Sequence, residues 1–454
     1  MRSLLFGFLA LARLLSANVA ADEAKYLLEA KLVPGDTTEV SVALKLGGEM
    51  LLTNEDGEQQ LPMDVEGQLR YTEQMVTWSD DSSQPARSLR DYTLAEAKIQ
   101  IEKGGLRREL PSAKRSIAAE LRNGRSALAS VDKPLTRDQF DLINVVGNTL
   151  ALNRLLPGNE LAEGASWDHD AATIGALLGM DNVAVCEVSS MITGCEHRQV
   201  QIRMAGTVHG TIDGAPTEMD LRAAYLFHQQ RARITKFNLA IKEKRTASQL
   251  VPGLDVVAKV SVKIKPSDDI PEKAAAATLA DVDQPLPSVL SYEAPERGYR
   301  FFHDAAWYVI AEQSDRVSLR SLQNGSVTAH CSLTTLPTRS EGRETTLEEF
   351  ERDVREMLGD HLESVSASTQ WKTALGHDCL GIVAQGATEG IPIEWRYYLI
   401  SSPTMPRVSL SVTVEQAQLE RFADADRQIV DSLELVEQTI SKTAKQSLTK
   451  RSRK

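Results

Sequence analysis

Apolar and polar residues alternate along several stretches of the first half of the chain. Residues 200–208, 219–227 and 234–241 carry apolar side chains at about every second position, and Asp213-Gly214 separates the first two runs. A period of two predicts half-buried β-strands, and Asp-Gly or Asn-Gly favours a tight hairpin turn because both central residues need positive φ. We therefore predict long antiparallel strands, with further hairpins at Asn123-Gly124 and around 54–57.

A helical period lies between these strand patterns. Thr136 and Gln139 form a capping-box pattern ahead of apolar positions that run from Phe140 to Leu155, which predicts one helix over this stretch. A shorter helix is predicted from Asp170 to Gly179. Strands, then helices, then strands predict a curved antiparallel sheet or half-barrel whose concave face is covered by a helical lid.

The second half predicts a smaller α+β unit. Thr346 with Glu349 begins a helix with one apolar face, and a closing helix is predicted over 416–434. The predicted strands are 316–322, 326–336, 379–385, 391–401 and 407–414. The fold class is therefore mainly β followed by α+β.

A stretch rich in proline, alanine and aspartate separates the two halves. Residues 266–290 lack strand alternation, which is typical of a semi-extended linker. The predicted domains are a β-rich domain over 22–265 with a helical insertion and an α+β domain over 291–437.

The start of the chain has the pattern of an export signal. Arg2 precedes an apolar run from Leu4 to Ala12, and small residues lead to a predicted cleavage after Ala21, so residues 1–21 are a predicted signal peptide. The alternative is an uncleaved anchor, which Arg13 disfavours because a spanning helix needs about 20 nearly unbroken apolar residues. No later segment is suited to span a bilayer, so we expect a secreted or periplasmic protein.

Charge narrows the range of partners. The formal net charge is −12, which disfavours broad contact with nucleic acid. Residues 438–454 form a predicted disordered tail with six basic residues and no acidic one. We expect this tail to be a solvated, frayed terminus, and the alternative is contact with an anionic envelope polymer.

Four cysteines fall two and two along the chain. Cys186 and Cys195 flank a predicted hairpin, and Cys331 and Cys379 lie on two predicted strands. An oxidising compartment favours disulfides within each pair, whereas the alternative is four buried free thiols.

Candidate catalytic and metal-binding groups occur only as fragments. Cys331 and His377 could act as nucleophile and base only if their side chains meet across strands. The alternative to a binding protein is therefore an enzyme, an envelope hydrolase that uses this pair or scattered carboxylates. The segment Asp168 to Asp170 and the pairs at 303–304 and 360–361 offer metal ligands without zinc-site spacing, and at Asp170 helix capping is the competing explanation. No nucleotide or hydrolase signature is present, so no cofactor is expected. Asn324-Gly-Ser326 is a glycosylation sequon only in a eukaryotic host.

Residues 291–437 resemble the PsbP family of extrinsic photosystem subunits, whose fold is shared by a Ran-binding import factor. The similarity rests on aromatic and glycine positions: Gly298 to Phe301, Trp307, Gly376 to Gly381, Trp395 to Tyr398, Ser409 to Val412 and Ile429 to Leu433. It implies an α/β/α sandwich with an antiparallel sheet and transfers no binding residue.

By its order of elements, the stretch 25–265 resembles the open β-barrel of LolA-like lipoprotein carriers, which implies an apolar ligand. A packed, dry core is the alternative. Together these observations favour an exported, non-catalytic binding protein whose partner is an unidentified protein or a hydrophobic small molecule.

Overall fold

A computed structural model describes residues 24–54, 57–79, 81, 84–248, 251–269, 271, 284–323, 325–338 and 344–437. The predicted signal peptide with Ala21, the sequon residue Asn324 and the basic tail over 438–454 lie outside these residues, as does most of the predicted linker. The domain boundaries themselves stay a prediction.

One twelve-stranded antiparallel sheet dominates the first half. Its strands are β2 Thr37–Asn54, β3 Gly57–Thr77, β4 Ala86–Ile101, β5 Gly104–Glu109, β6 Ser116–Arg122, β7 Arg125–Ser130, β9 Ser166–Asp168, β10 Asn182–Glu196, β11 Gln199–Ile212, β12 Ala215–His228, β13 Arg233–Arg245 and β14 Gly253–Pro266. Their order is β7-β6-β4-β3-β2-β14-β13-β12-β11-β10-β9, with β5 paired to β4. β1 Lys25–Leu27 and β8 Glu160–Ala162 form a separate pair.

Alternation determines which face of each long strand is buried. Along β12 every second residue is buried and the residues between are exposed or half-buried. The turn between β11 and β12 has positive φ at Asp213 and Gly214, and the turn between β6 and β7 has the same conformation at Asn123 and Gly124. The predicted hairpins at these two dipeptides are confirmed, because Asp-Gly and Asn-Gly tolerate the left-handed backbone that a two-residue turn requires.

Short helices cover part of the concave face. They are α1 Arg137–Ile143, α2 Thr149–Leu152 and α3 Ala171–Leu178, and a 3-10 turn spans Asn153–Leu155. The prediction of one helix from Phe140 to Leu155 was wrong. Gly147 has a φ of +96° and lies against Val262 of β14, so the chain leaves the helical conformation there, and Asn148 caps a new helix.

The second half contains a seven-stranded and a three-stranded antiparallel sheet. The larger has the order β17-β18-β19-β23-β22-β21-β20 and the smaller β15-β16-β24. The strands are β15 Val289–Ala294, β16 Tyr299–Asp304, β17 Trp307–Glu312, β18 Arg316–Gln323, β19 Ser326–Leu336, β20 Leu362–Lys372, β21 Asp378–Thr388, β22 Ile391–Ser401, β23 Arg407–Glu415 and β24 Glu434–Leu435.

Helices cover both faces of the larger sheet. They are α4 Leu347–Leu358, α5 Leu419–Phe422 and α6 Ala425–Ser432. Side chains of α4 pack with Leu380 and Trp395, whereas those of α6 pack with Cys379 and Tyr398, so neighbouring residues on a strand serve opposite cores. The predicted α+β class with an antiparallel sandwich is confirmed. The closing helix predicted over 416–434 is interrupted at Ala423, whose φ is +48°.

Candidate functional site

The concave face of the large sheet holds an apolar cavity of about 390 Å³. Side chains of β2, β3 and β4 form its floor, β5 lies at one side, and α1 with the residues after it forms the cover. The apolar lining includes Val42, Leu44, Val65, Ile99, Leu142 and Val145. The volume falls within the range of about 300–1,000 Å³ that is typical of small-molecule sites.

The cavity lies at the end of the packed core, where the apolar face of the sheet extends past α1. Val42 is only 6% exposed, but Leu44 on the same face of β2 is half-buried, and so are Val65 and Ile99 on the neighbouring strands. Leu106 of β5 is 46% exposed. Apolar side chains therefore continue along the floor after the packed core has ended.

Element lengths explain this geometry. The seven residues of α1 span about 10 Å at 1.5 Å per residue. The 18 residues of β2 follow a path of about 60 Å at roughly 3.3 Å per residue. A two-turn helix cannot cover a strand of that length, so part of the apolar face stays accessible.

Two small residues lower the floor at one level. Gly67 of β3 lies between Leu44 of β2 and Ala97 of β4 in the sheet register. A β-carbon added at Gly67 would lie 3.5 Å from that of Leu44, which is ordinary van der Waals contact. Larger side chains at Gly67 or Ala97 would therefore be compatible with the backbone and would fill part of the cavity.

The charged groups at the rim are paired with one another. Arg108 of β5 contacts Asp138 of α1 at 2.6 Å, and Arg107 contacts Glu96 at the same distance. Asp141 has the guanidinium of Arg137 at 3.7 Å. Each carboxylate that lines the cavity thus has an arginine partner, and the Arg108–Asp138 pair joins β5 to the helix that covers the cavity.

A buried polar cluster fixes the chain just after the cavity cover. Glu73 of β3 accepts hydrogen bonds from Arg90 Nε at 2.8 Å and from Thr149 Oγ1 at 2.7 Å, and Arg90 Nη2 donates to Asn148 at 2.6 Å. Ser88 adds a fourth bond, to Glu73 at 2.8 Å. Buried charges need such partners, so the cluster anchors the start of α2 to the sheet.

A second buried ion pair lies near the edge of the same sheet. Arg87 Nε donates to Glu120 at 2.6 Å, and both side chains are almost fully buried. Burial opposes the ionisation of Glu120, but the hydrogen bonds from Arg122 and Arg87 outweigh it and lower the pKa of this carboxyl. Arg87 also donates to the carbonyl of Gln284 and so ties the chain ahead of the second half to the sheet.

The structure contradicts a disulfide between Cys186 and Cys195. Both residues lie on the single strand β10, not on opposite arms of a hairpin, and both are free thiols. Nine residues of extended chain separate their α-carbons by about 30 Å. A bridge requires about 4.4–6.8 Å, so the predicted pairing was wrong.

The second predicted pair is separated as well. Cys331 lies on β19 and Cys379 on β21, with β23 and β22 between them, which gives a separation of at least about 14 Å at 4.8 Å per strand. Both are buried free thiols, and burial raises the pKa of each. This agrees with the alternative of buried thiols that act as small hydrophobes.

The same sheet order separates Cys331 from His377. His377 precedes β21, and its Nε2 accepts a hydrogen bond from the backbone nitrogen of Leu435 at 3.3 Å. Because three strand spacings lie between the thiol and the imidazole, the structure does not bring this proposed catalytic pair together.

The histidine candidates for metal binding have other partners. His169 Nε2 lies 2.7 Å from Ser190 Oγ, and Tyr225 donates to the same hydroxyl at 2.9 Å. Burial lowers the pKa of His169 to about 4, as it does for His303. Asp170 caps α3 by accepting from the Thr173 nitrogen at 2.8 Å, in agreement with the capping explanation. Within the described part of the chain, no group of three or more potential ligands is placed to hold a metal ion.

Sequence reasoning implied an apolar ligand for residues 25–265 only through the LolA-like resemblance. It identified no residue that lines the cavity, and it did not find the Glu73–Arg90 cluster. Charged residues at inward positions look like surface residues until the register is known. The small residues Gly67 and Ala97 among large apolar ones were a signal, but one that needs the pairing of β3 with β4 to be understood.

Among the residues that the structure covers, no helix combines the length and the apolar character needed to cross a membrane.

Parts of the chain are similar to several solved structures. No family model matches the chain, and a comparison with curated proteins gave no match either. A PsbP of Synechocystis sp. PCC 6803 is similar at 10% identity and a TM-score of 0.27, over 33% of this chain and 94% of that one. The Ran-binding protein Mog1p of Saccharomyces cerevisiae is similar at 8% identity and a TM-score of 0.27, over 33% and 97%. Each of these two matches covers about a third of this chain and nearly the whole of the matched protein.

A longer region is similar to a lipovitellin structure at 10% identity and a TM-score of 0.31, over 54% of this chain and 27% of that one. The matches do not show the LolA-like resemblance.

Proposed function

We propose that the protein, once exported, acts in the cell envelope as a non-catalytic binding protein that captures an uncharged apolar molecule in the cavity. The observation that carries this proposal is the continuous, half-exposed apolar floor of β2, β3 and β4 beneath α1. Apolar surface removed from water contributes about 25 cal/mol per Å², so a ligand that covers this floor gains several kcal/mol.

The rim favours a ligand without a charged group inside the cavity. The carboxylates of Glu96, Asp138 and Asp141 already lie against arginines. A ligand carboxylate or ammonium buried there would have to break one of these pairs or remain unpaired, and an unpaired buried charge is costly. A neutral chain or ring system meets no such cost.

A titration with the neutral fluorophore N-phenyl-1-naphthylamine tests this function. Ala97→Leu replaces a methyl by an isobutyl group on the cavity floor, and Ala43→Leu makes the same replacement on the exposed, opposite face of β2. We expect saturable binding to the native protein, at least about tenfold weaker binding to A97L, and native affinity for A43L, because only A97L fills the cavity.

Competitors of matched chain length identify the ligand class. Dodecanol should displace the fluorophore at lower concentration than dodecanoate or dodecylammonium. Absence of saturable binding to the native protein, or equal effects of A97L and A43L, would refute the proposed site.

Protein contact by the PsbP-like segment and contact of the 438–454 tail with an anionic polymer remain proposals of the same kind. Their support is the fold likeness and the basic composition, respectively. The alternative of a hydrolase built on Cys331 and His377 has no geometric support, because Cys331 lies on β19 and His377 directly precedes β21, which is not a neighbour of β19.

A further inference from the structure

The helix that covers the cavity also contacts the second half of the chain. Asp138, Asp141 and Leu142 of α1 line the cavity. The first residue of the same helix, Arg137, donates through Nη2 to the carbonyl oxygens of Ala305 and Trp307, the latter at 3.1 Å. Its guanidinium lies 4.2 Å from the centre of the Tyr308 ring. One short helix therefore touches both the binding site and the α+β unit.

The chain leading into α1 is attached to the same unit. Leu135 forms a parallel bridge with Leu290, and the backbone nitrogen of Ser291 donates to the Leu135 carbonyl at 2.7 Å. Ser291 Oγ donates to the Pro134 carbonyl at 3.3 Å. These contacts hold the entry to α1 against β15.

The α+β unit also contacts the far side of the large sheet. Tyr308 donates to Asp213 Oδ1 at 2.7 Å, in the turn between β11 and β12. In that turn Gly214 approaches Gly325, so closely that a β-carbon at Gly214 would lie 3.0 Å from the Gly325 carbonyl oxygen. The unit thus contacts both the turn of the large sheet and the helix that covers the cavity.

Resting on the proposed function, we propose that the α+β unit regulates ligand exchange by holding α1 over the cavity through Arg137. With Arg137 engaged, α1 covers the ligand, and the Arg108–Asp138 pair holds its other side to β5. Release of Arg137 leaves α1 held by the Arg108–Asp138 pair and by the contacts of its entry with β15, so α1 is less restrained and ligand enters and leaves faster. By linkage, ligand that contacts α1 in turn stabilises the contact with the α+β unit.

Two variants separate this role from general stability. Arg137→Gln removes the charge and the planar fork, and with them the rim pair with Asp141, whereas Arg355→Gln removes an arginine that pairs within α4, with Glu351. Stopped-flow mixing of the full chain with N-phenyl-1-naphthylamine should show dissociation at least about fivefold faster for R137Q and unchanged for R355Q. Arg137→Lys keeps the charge but not the planar fork, so its dissociation rate should lie between those of R137Q and R355Q. This variant serves as the test if R137Q does not fold.

Amide hydrogen exchange measures how strongly α1 is held in place in the protein without ligand. The amides of Phe140 and Asn144, bonded within α1 at 2.9 Å, should exchange faster in R137Q than in R355Q. Equal dissociation rates in R137Q and R355Q would overturn the regulatory role while leaving the cavity function intact. Failure of the native protein to bind the fluorophore would instead overturn the cavity function and the regulation that rests on it.

Discussion

The concave face of the large sheet differs between neighbouring strands at the same level. Val260 of β14 is 3% exposed and pairs with Leu44 of β2, which is half-buried, and Ala258 with Leu46 shows the same contrast. Both strands have the same alternation and the same kind of side chain. Their difference shows that the sequence pattern of a strand determines which face is apolar, while the elements packed on it determine whether that face becomes core or binding surface.

The largest loss of stability is expected on substitution of Glu73 in the Glu73–Arg90 cluster, where the packed core meets the cavity. Glu73→Gln leaves Arg90 without its carboxylate in a buried site, so the free energy of unfolding should fall by about 3–5 kcal/mol. Denaturant unfolding followed by circular dichroism measures this loss. The control is Glu66→Gln, which removes an exposed pair with Lys45 and should leave the free energy of unfolding almost unchanged. A similar loss in both variants would show that the cluster does not anchor the fold.

A matched pair of leucines tests the contrast directly. Leu239→Ala in β13 removes a buried side chain and should cost about 2–5 kcal/mol. Leu44→Ala removes a half-exposed one and should cost about 1 kcal/mol, while weakening binding of the fluorophore. Equal losses of stability would mean that the floor of the cavity is packed core after all.

A smaller loss of stability is expected when the pH falls from 7 to 5. Burial lowers the folded-state pKa of His169 and of His303 from 6.5 to about 4, so the unfolded chain binds protons more readily. The stability that each neutral imidazole contributes is complete above the unfolded pKa and is lost as pH falls from about 6.5 towards 4. Between pH 7 and pH 5 each histidine should account for a loss of up to about 2 kcal/mol.

Unfolding of His169→Gln at the two pH values isolates one of these contributions. Its stability should change less between pH 7 and pH 5 than that of the native protein. An unchanged pH dependence in the variant would contradict a buried, neutral His169.

Local patterns predicted many elements correctly. The capping boxes at Thr136 and Thr346 begin α1 and α4, and the hairpin at Asp213-Gly214 lies where the dipeptide indicated. These features depend on residues close in sequence, so a single chain reveals them. β20 was missed because its residues are mostly exposed and lack a period of two.

Features that depend on distant pairing could not be predicted. The break at Gly147 follows from its approach to Val262, more than 100 residues later in the sequence. The cysteine pairings failed because Cys186 and Cys195 share one long strand, which no local pattern distinguished from a hairpin. The cavity arises from the mismatch between the lengths of β2 and α1, which becomes apparent only when one is placed on the other.

The most direct test is the identity of what the cavity holds in the cell. The full chain and its A97L and A43L variants would be purified from the native host without detergent, extracted with organic solvent and analysed by mass spectrometry. We predict a neutral apolar compound at roughly equimolar amount in the native protein and in A43L, and its depletion in A97L. An equal amount in all three proteins, or none in any of them, would contradict the assignment of this cavity as the binding site.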